Sequence, residues 1–455
     1  MTSTTAARAA TGAKGLAIQG AEPALPPSEG DERLFHWPIV TAEDEQAVLD
    51  VMRAGTMSGT SITKQFEAEY ATWQGSRHAL CTCNGTAGLT AAMWACGVGV
   101  GDEIICPTIT YWASASPALM LGATVNFADI DAKTLCIDPN DIEHRIGPRT
   151  RAIVVVNYAG HPADYDRIMP LARKHGLKVI EDNSHAQGSM YKGKMCGSLG
   201  DIAAASLMAG KAFPIGEGGI ITTDDPKLYE RCVAFGHYER TGVASNYNPV
   251  DQQVHDEGLL RFKGLPMGAA KHRLNQMCAA MGRVQLKSYP ARIVEIQKAI
   301  NRFWDLLDGV PGLRPHRIDE PNSSMGGWYF ARGLYTPEEL GGLSAERFCE
   351  AVRAEGVKDC APVLNRLLHT HAYFHEADVF GHGKPTAVAF GQRDVRQGPG
   401  TLPVAEQMAG RVVDVPWFKH DDAARIEQYA AAYRKVAEHA HELLEADKAA
   451  QGAAG

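Results

Sequence analysis

Between Ala79 and Thr223 the sequence alternates short apolar runs with helix-period stretches, and nothing else in the chain constrains its fold as tightly. The apolar runs are Ala79 to Cys83, DEIICP, TVNFADI, RAIVVVNYAG, Leu177 to Ile180, Ala203 to Leu207 and Ile220 to Thr223. Most lack the polar alternation of a half-exposed strand, so they read as strands buried on both faces. The stretches between them, Thr86 to Cys96, TYWASASPALMLG and Ala163 to His175 (closed by Gly176), read as helices. Strand and helix in alternation predict an α/β protein built on a mostly parallel sheet with helices on both faces.

In such sheets ligands bind beyond the carboxyl ends of the strands, which directs attention to two of them. The run from Leu177 ends in Glu181 and Asp182. The run from Ala203 ends near Lys211, beside a loop carrying Gly216, Gly218 and Gly219 that is too small to crowd a bound molecule. An acid and a lysine at neighbouring strand ends are what pyridoxal phosphate needs: a lysine to hold it covalently and an acid to keep its pyridine nitrogen protonated. Taken alone, the pair fits a solvated lysine and a structural acid as well. Earlier in the chain, Ala79 to Cys83, Asn84-Gly85 and Thr86 to Cys96 place a glycine turn between a strand and a helix amino terminus. That arrangement binds anions through unpaired N–H groups, although an ordinary turn accounts for it locally. GVGVGDE at 97–103 follows a helix and precedes a strand, the reverse of a dinucleotide loop, which excludes a Rossmann dehydrogenase.

At 455 residues the chain predicts two domains. Residues 1–30 read as a disordered tail, 31–285 as a large domain, 286–445 as a small carboxyl-terminal one and 446–455 as a second tail. The 240–267 stretch, polar and without period, reads as a loop or insertion. Helices are expected over AEDEQAVLDVMRAG (capped by Thr41), Lys64 to Trp73 and Leu274 to Ile293. One long closing helix is marked by Ile426, Tyr429, Ala430, Tyr433, Ala437, Ala440 and Leu444.

The net charge of −8, with no Lys/Arg-rich run, argues against nucleic acid or an anionic membrane as partner. No apolar stretch reaches the length of a membrane span, and the amino terminus carries no secretory signal. Ten scattered cysteines without a CxxC pair fit free thiols in a reducing cytoplasm and supply no metal site.

Six motifs in order, NGTAGL (84–89), TYWASASP (110–117), KVIEDNSHAQGS (178–189), SLMAGK with GEGG (206–219), KHRLNQMCAAMGRVQL (271–286) and LPVAEQMAGRVVDVP (402–416), resemble the DegT/DnrJ/StrS family of sugar and cyclitol aminotransferases. The resemblance runs from about Leu34 to about His441. It implies a fold type I pyridoxal-phosphate transferase, with a seven-stranded-type sheet in the large domain and a smaller α/β domain. It makes Lys211 the lysine that holds the cofactor, Asp182 the partner of the pyridine nitrogen and His185 a neighbour of the phenolic oxygen. Trp112 would stack on the ring, Gly85, Thr86 and Ala87 would cradle the phosphate, and Ser206 would bond to it. Lys271 stands where the family has an Asn that reaches the phosphate from the neighbouring subunit, so a homodimer with shared sites is implied. Tyr158, His161 and Tyr329 are candidates for substrate hydroxyls. The implied reaction takes an amino group from glutamate or glutamine to a keto-cyclitol or keto-sugar. KGLAIQGAEPALP resembles the opening of cyclitol and antibiotic-pathway members. A nucleotide-linked keto-sugar, for which Arg240, Tyr247, Arg261 and Lys263 would offer a surface, and lyase or aldolase chemistry are the alternatives. A non-catalytic binding protein is disfavoured because every cofactor position holds a competent residue.

Overall fold

A computed structural model describes residues 15–244 and 249–454. Its centre is a seven-stranded sheet. In chain order the strands are β1 (His78–Thr82), β2 (Glu103–Pro107), β3 (Thr124–Ala128), β4 (Thr150–Val156), β5 (Lys178–Asp182), β6 (Ile202–Ser206) and β7 (Gly219–Thr223). They lie side by side as β1-β7-β6-β5-β4-β2-β3. Neighbours are parallel except at β7, which runs against both β1 and β6. The expected mostly parallel sheet is therefore present, and its strands are buried along nearly their whole length.

Helix boundaries follow local chemistry. The helix α1 (Ala42–Arg53) starts in a capping box between Thr41 and Asp44. The helices α2 (Ser61–Gln74) and α3 (Gly85–Ala95) flank β1, and Asn84 caps α3 by accepting the Ala87 N–H at 2.9 Å. The stretch TYWASASPALMLG is not one helix. It forms a short 3-10 turn at Trp112–Ser114 and a four-residue helix at Pro117–Met120, because Pro117 can only begin a helix. The helix α4 (Gln276–Leu306) runs well beyond the expected Ile293. The closing helix is two, α5 (Ala423–Glu438) and α6 (Ala440–Ala454), so residues 446–454 are helical, not a tail.

A second, three-stranded sheet (Leu313–Pro315, Arg332–Tyr335, Val412–Asp414) packs with α4, α5 and Ala345–Ala354 around its own apolar core. Residues 15–30, expected to be disordered, join this core through Leu16 and Leu25. The Glu355 carboxylate accepts the Ala17 and Ala24 N–H groups, each at 2.8 Å, and fixes that segment. Residues 1–14 lie outside the described part. The segment from Leu368 to Met408 packs instead on the large core. The Gln397 amide both donates to and accepts from the Phe127 backbone, which satisfies polar groups on the edge strand β3.

In the 240–267 stretch Arg240 is fully buried and gripped by Glu67 through two bonds of 2.7 and 3.0 Å. It is therefore no part of a ligand surface. Glu67 also accepts the Cys81 N–H of β1, so this pair ties α2 to the sheet. Arg261 and Lys263 are exposed, and Tyr247 lies outside the described residues. Arg240→Met leaves a buried carboxylate uncompensated and is expected to cost about 3–5 kcal/mol, read as a lower urea midpoint. Adding Glu67→Leu should recover part of that loss, the remainder reflecting the Cys81 N–H left without its acceptor.

Candidate active site

Parallel strands β1, β2, β5 and β6 all end at one edge of the sheet, and the reversed strand β7 begins there. The chain leaving each brings one group. From β5 comes Asp182, while Glu181, one residue earlier, points to the opposite face. There Glu181 accepts N–H groups from Gly197, Leu199 and Gly200 and is a structural clamp. Asp182 is held by the Ser114 hydroxyl at 2.6 Å and the Ser184 N–H at 3.1 Å. From β6 come Ser206 and then Lys211. From β1 comes the amino terminus of α3, and from β2 come Thr110 and Tyr111. Together with Ala113, Ser184, His185, Met208, Glu217, Tyr329, Phe330 and Asn365 they line a cavity of about 510 Å³.

Gly85 is required at its turn. A Cβ there would lie 2.8 Å from the Ser206 Cβ and 2.9 Å from the Ser206 nitrogen, so only glycine lets the helix start meet the end of β6. The result is a cradle of N–H groups at Gly85 and Thr86 beside the Ser206 hydroxyl, suited to a dianion. Ala87 does not belong to it, because its N–H is already given to Asn84.

Lys211 is 8% exposed, and its Nζ lies 4.4 Å from the Tyr329 ring centroid. Burial lowers its pKa to about 8, against a smaller opposing pull from Asp182. The Lys211 carbonyl accepts the Trp37 indole N–H at 2.8 Å, which anchors the backbone that carries the amine. His185 is buried, and its pKa falls well below the ordinary value, first through burial and then through Lys211 and Arg332. Its Nδ1 accepts the Ala159 N–H at 3.4 Å, which places the proton of the neutral ring on Nε2.

The structure redistributes other expected residues. Trp112 is 47% exposed and lines the neighbouring cavity, whereas Tyr111 lines this one, because the 3-10 turn at 112–114 rotates successive side chains apart. Tyr158 does not reach the cavity. Its hydroxyl bonds the Asn365 Oδ1 at 2.7 Å and orients a residue that does. His161 is buried elsewhere, tilted against His316 with ring centroids 5.3 Å apart, and does not line the cavity. Lys271 is exposed, with its Nζ 5.6 Å from the Tyr238 ring and outside its own chain's cavity. Tyr111, Asn365 and Trp37 were missed. Tyr111 is adjacent to the residue chosen from the TYW motif, whereas Asn365 and Trp37 lie far from the motifs in sequence and carry no local signal.

A buried amine, an anchored carboxylate and an anion cradle at the carboxyl edge of this sheet define a fold type I pyridoxal-phosphate transferase, and the residues present fit that cofactor. Residues 38–432 match the DegT/DnrJ/EryC1/StrS aminotransferase family, to which the chain belongs. It is a pyridoxal-phosphate-dependent aminotransferase. It is 35% identical over 55% of its length to GDP-perosamine synthase of Escherichia coli O157:H7, covering 64% of that protein. It is 29% identical to a Streptoalloteichus tenebrarius protein provisionally described as an L-glutamine:3-amino-2,3-dideoxy-scyllo-inosose aminotransferase, over 74% of this chain and 78% of that protein. Among solved structures, the aminotransferase from Psychrobacter cryohalolentis superposes with a TM-score of 0.76 at 28% identity, over 90% of this chain and 100% of that one.

In the cofactor-free protein, acylation of Lys211 by an amine-selective reagent should rise with pH through a midpoint near 8, since the neutral amine is the reactive form. Asp182→Asn should lower that midpoint further, because the Asp182 charge favours the ammonium. A midpoint near the ordinary 10.5 would contradict the burial of this amine.

Proposed function

We propose that this enzyme transfers an amino group from glutamate or glutamine to a ketone on a cyclitol or sugar, with Lys211 as its catalytic lysine. The observation that carries the reading is the buried Lys211 amine, held near neutral pKa in one cavity with Asp182 and the α3 amino terminus. Bound pyridoxal phosphate supplies the electron sink that stabilises charge on the substrate carbon. Gly85, Thr86 and Ser206 would hold its phosphate, and Tyr111 would offer a ring face. Asp182, pinned by Ser114 and Ser184, keeps the proton on the pyridine nitrogen. His185, with its proton on Nε2, would offer that N–H to the phenolic oxygen of the bound cofactor. With the cofactor bound, the Lys211 amine would carry the proton away from and back to the reacting carbon as general base and acid, a task its lowered pKa suits. Tyr329 covers that amine against water.

The exposed position of Lys271, away from its own cavity, supports a role at the site of a second copy in a homodimer. The ten free cysteines support a reducing, cytoplasmic setting. No helix among the described residues is long and apolar enough to cross a membrane. The acceptor reading rests on the relatives, of which one is named for a nucleotide-linked amino sugar and one for an inosose. The family resemblance implies histidine at this position in some members that dehydrate sugars, so Lys211 favours transamination over dehydration, and lyase or aldolase chemistry is the second reading.

The test is the visible spectrum of the loaded protein before and after glutamate or glutamine. Bleaching of the cofactor band by either donor, lost in Lys211→Ala, is the expected result. A band indifferent to both donors would favour the second reading.

A further inference from the structure

Beside the catalytic cavity lies a second one of about 550 Å³, lined by Thr110, Tyr111, Trp112, Ser116, Asn365, Arg366, Leu368, His371, Tyr373 and Phe374. The two share Thr110, Tyr111 and Asn365, so they adjoin along these three residues. The catalytic cavity, by its size, already takes a whole small ligand, which leaves the annex surplus to the cofactor and a single keto ring.

Its walls are mainly rings. Tyr111 and Trp112 lie with centroids 4.9 Å apart, and Tyr373 and Phe374 lie 5.2 Å apart. Tyr111 and Trp112 are about half exposed in the single chain, and Trp112 has no place in the catalytic cavity. Polar groups sit at the margin and are ready to bond. Tyr158 occupies the Asn365 Oδ1, and among the described residues the Asn365 amide N–H₂ has no acceptor. His371 accepts the Tyr373 N–H at Nδ1, at 3.0 Å, so its neutral ring presents N–H from Nε2. Arg366 is exposed and has no acidic partner among the described residues.

Such a cavity matches a ring with one apolar face and a hydroxyl-bearing edge. The C–H face of a sugar covers aromatic surface, and its hydroxyls accept from Arg366, His371 and Asn365. A nucleoside diphosphate fits less well. Its phosphates would lie at the junction, where Thr110, already bonded to Ser114, and Asn365 are neutral, and Arg366 is the one permanent cation that this chain itself places in the lining.

Resting on the transaminase reading above, we propose that the annex binds a second carbohydrate ring joined directly to the keto ring. The acceptor is then a two-ring glycoside, neither a free cyclitol nor a nucleotide-linked sugar.

The test uses aminated probes, since transamination runs in both directions. Calorimetric affinities of the loaded holoenzyme would be measured for 2-deoxystreptamine, for its glucosaminide paromamine, and for a GDP-linked amino sugar. Paromamine is expected to bind at least tenfold tighter than 2-deoxystreptamine. Trp112→Ala and Phe374→Ala should each erase most of that advantage while leaving 2-deoxystreptamine unchanged. Equal affinities for the one-ring and two-ring probes, including no measurable binding of either, would overturn the proposal. So would an advantage that survives both substitutions, or one that belongs to the GDP-linked probe alone. Bleaching of the cofactor by glutamate or glutamine in the same preparation separates the two readings. If neither donor bleaches it, the transaminase reading has failed; if one does and the second ring gains nothing, only the annex proposal has.

Discussion

Everything in the site depends on the direction of the strands. Because β1, β2, β5 and β6 run parallel, the chain leaves each at the same edge, and four separate stretches of sequence deliver their groups to one place. The reversal of β7 is part of this arrangement. It lets the glycine loop after Lys211 return directly into the sheet, so that Gly219 starts a strand where β6 has just ended. Glycine at 85 then allows the α3 terminus to press against Ser206 with no side chain between.

The second dependence is electrostatic. Lys211 needs enough burial to be partly neutral near physiological pH and enough opposing charge to keep its ammonium form accessible. Burial against Tyr329 supplies the first and Asp182 the second. The same burial, together with the Lys211 and Arg332 charges, keeps His185 uncharged, and the Ala159 N–H then fixes which nitrogen carries its proton. Proton positions at two neighbouring groups thus follow from one dry environment.

The sheet, its parallel character, and Asp182, Lys211 and Gly85 were legible in the sequence, since each sits at the end of an apolar run or in a glycine turn, whereas Ser206 came only through the family resemblance. What failed to show has physical reasons. In the TYW triplet, a 3-10 turn decides which ring lines the catalytic cavity, and two adjacent aromatics look alike until that turn is known. Ala87 looked like a cradle residue, but the helix cap consumes its N–H. Arg240 looked like a surface cation because its partner, Glu67, lies 173 positions away. Residues 15–30 looked disordered for the same reason: the groups that order them, Glu355 and the α5 region, come from the far end of the chain.

A buried amine alone does not make a catalytic lysine, and this fold holds a second one. Lys419 is 3% exposed, its Nζ lies 2.9 Å from the Trp417 ring centroid, and burial drives its pKa well below the ordinary value. It lies outside the cavity and away from the anion cradle. The most direct measurement is therefore to load the protein with pyridoxal phosphate, reduce it with borohydride and sequence the labelled peptide by mass spectrometry. The account predicts a single phosphopyridoxyl group on Lys211. A label on Lys419 or Lys271, or none at all, would contradict it.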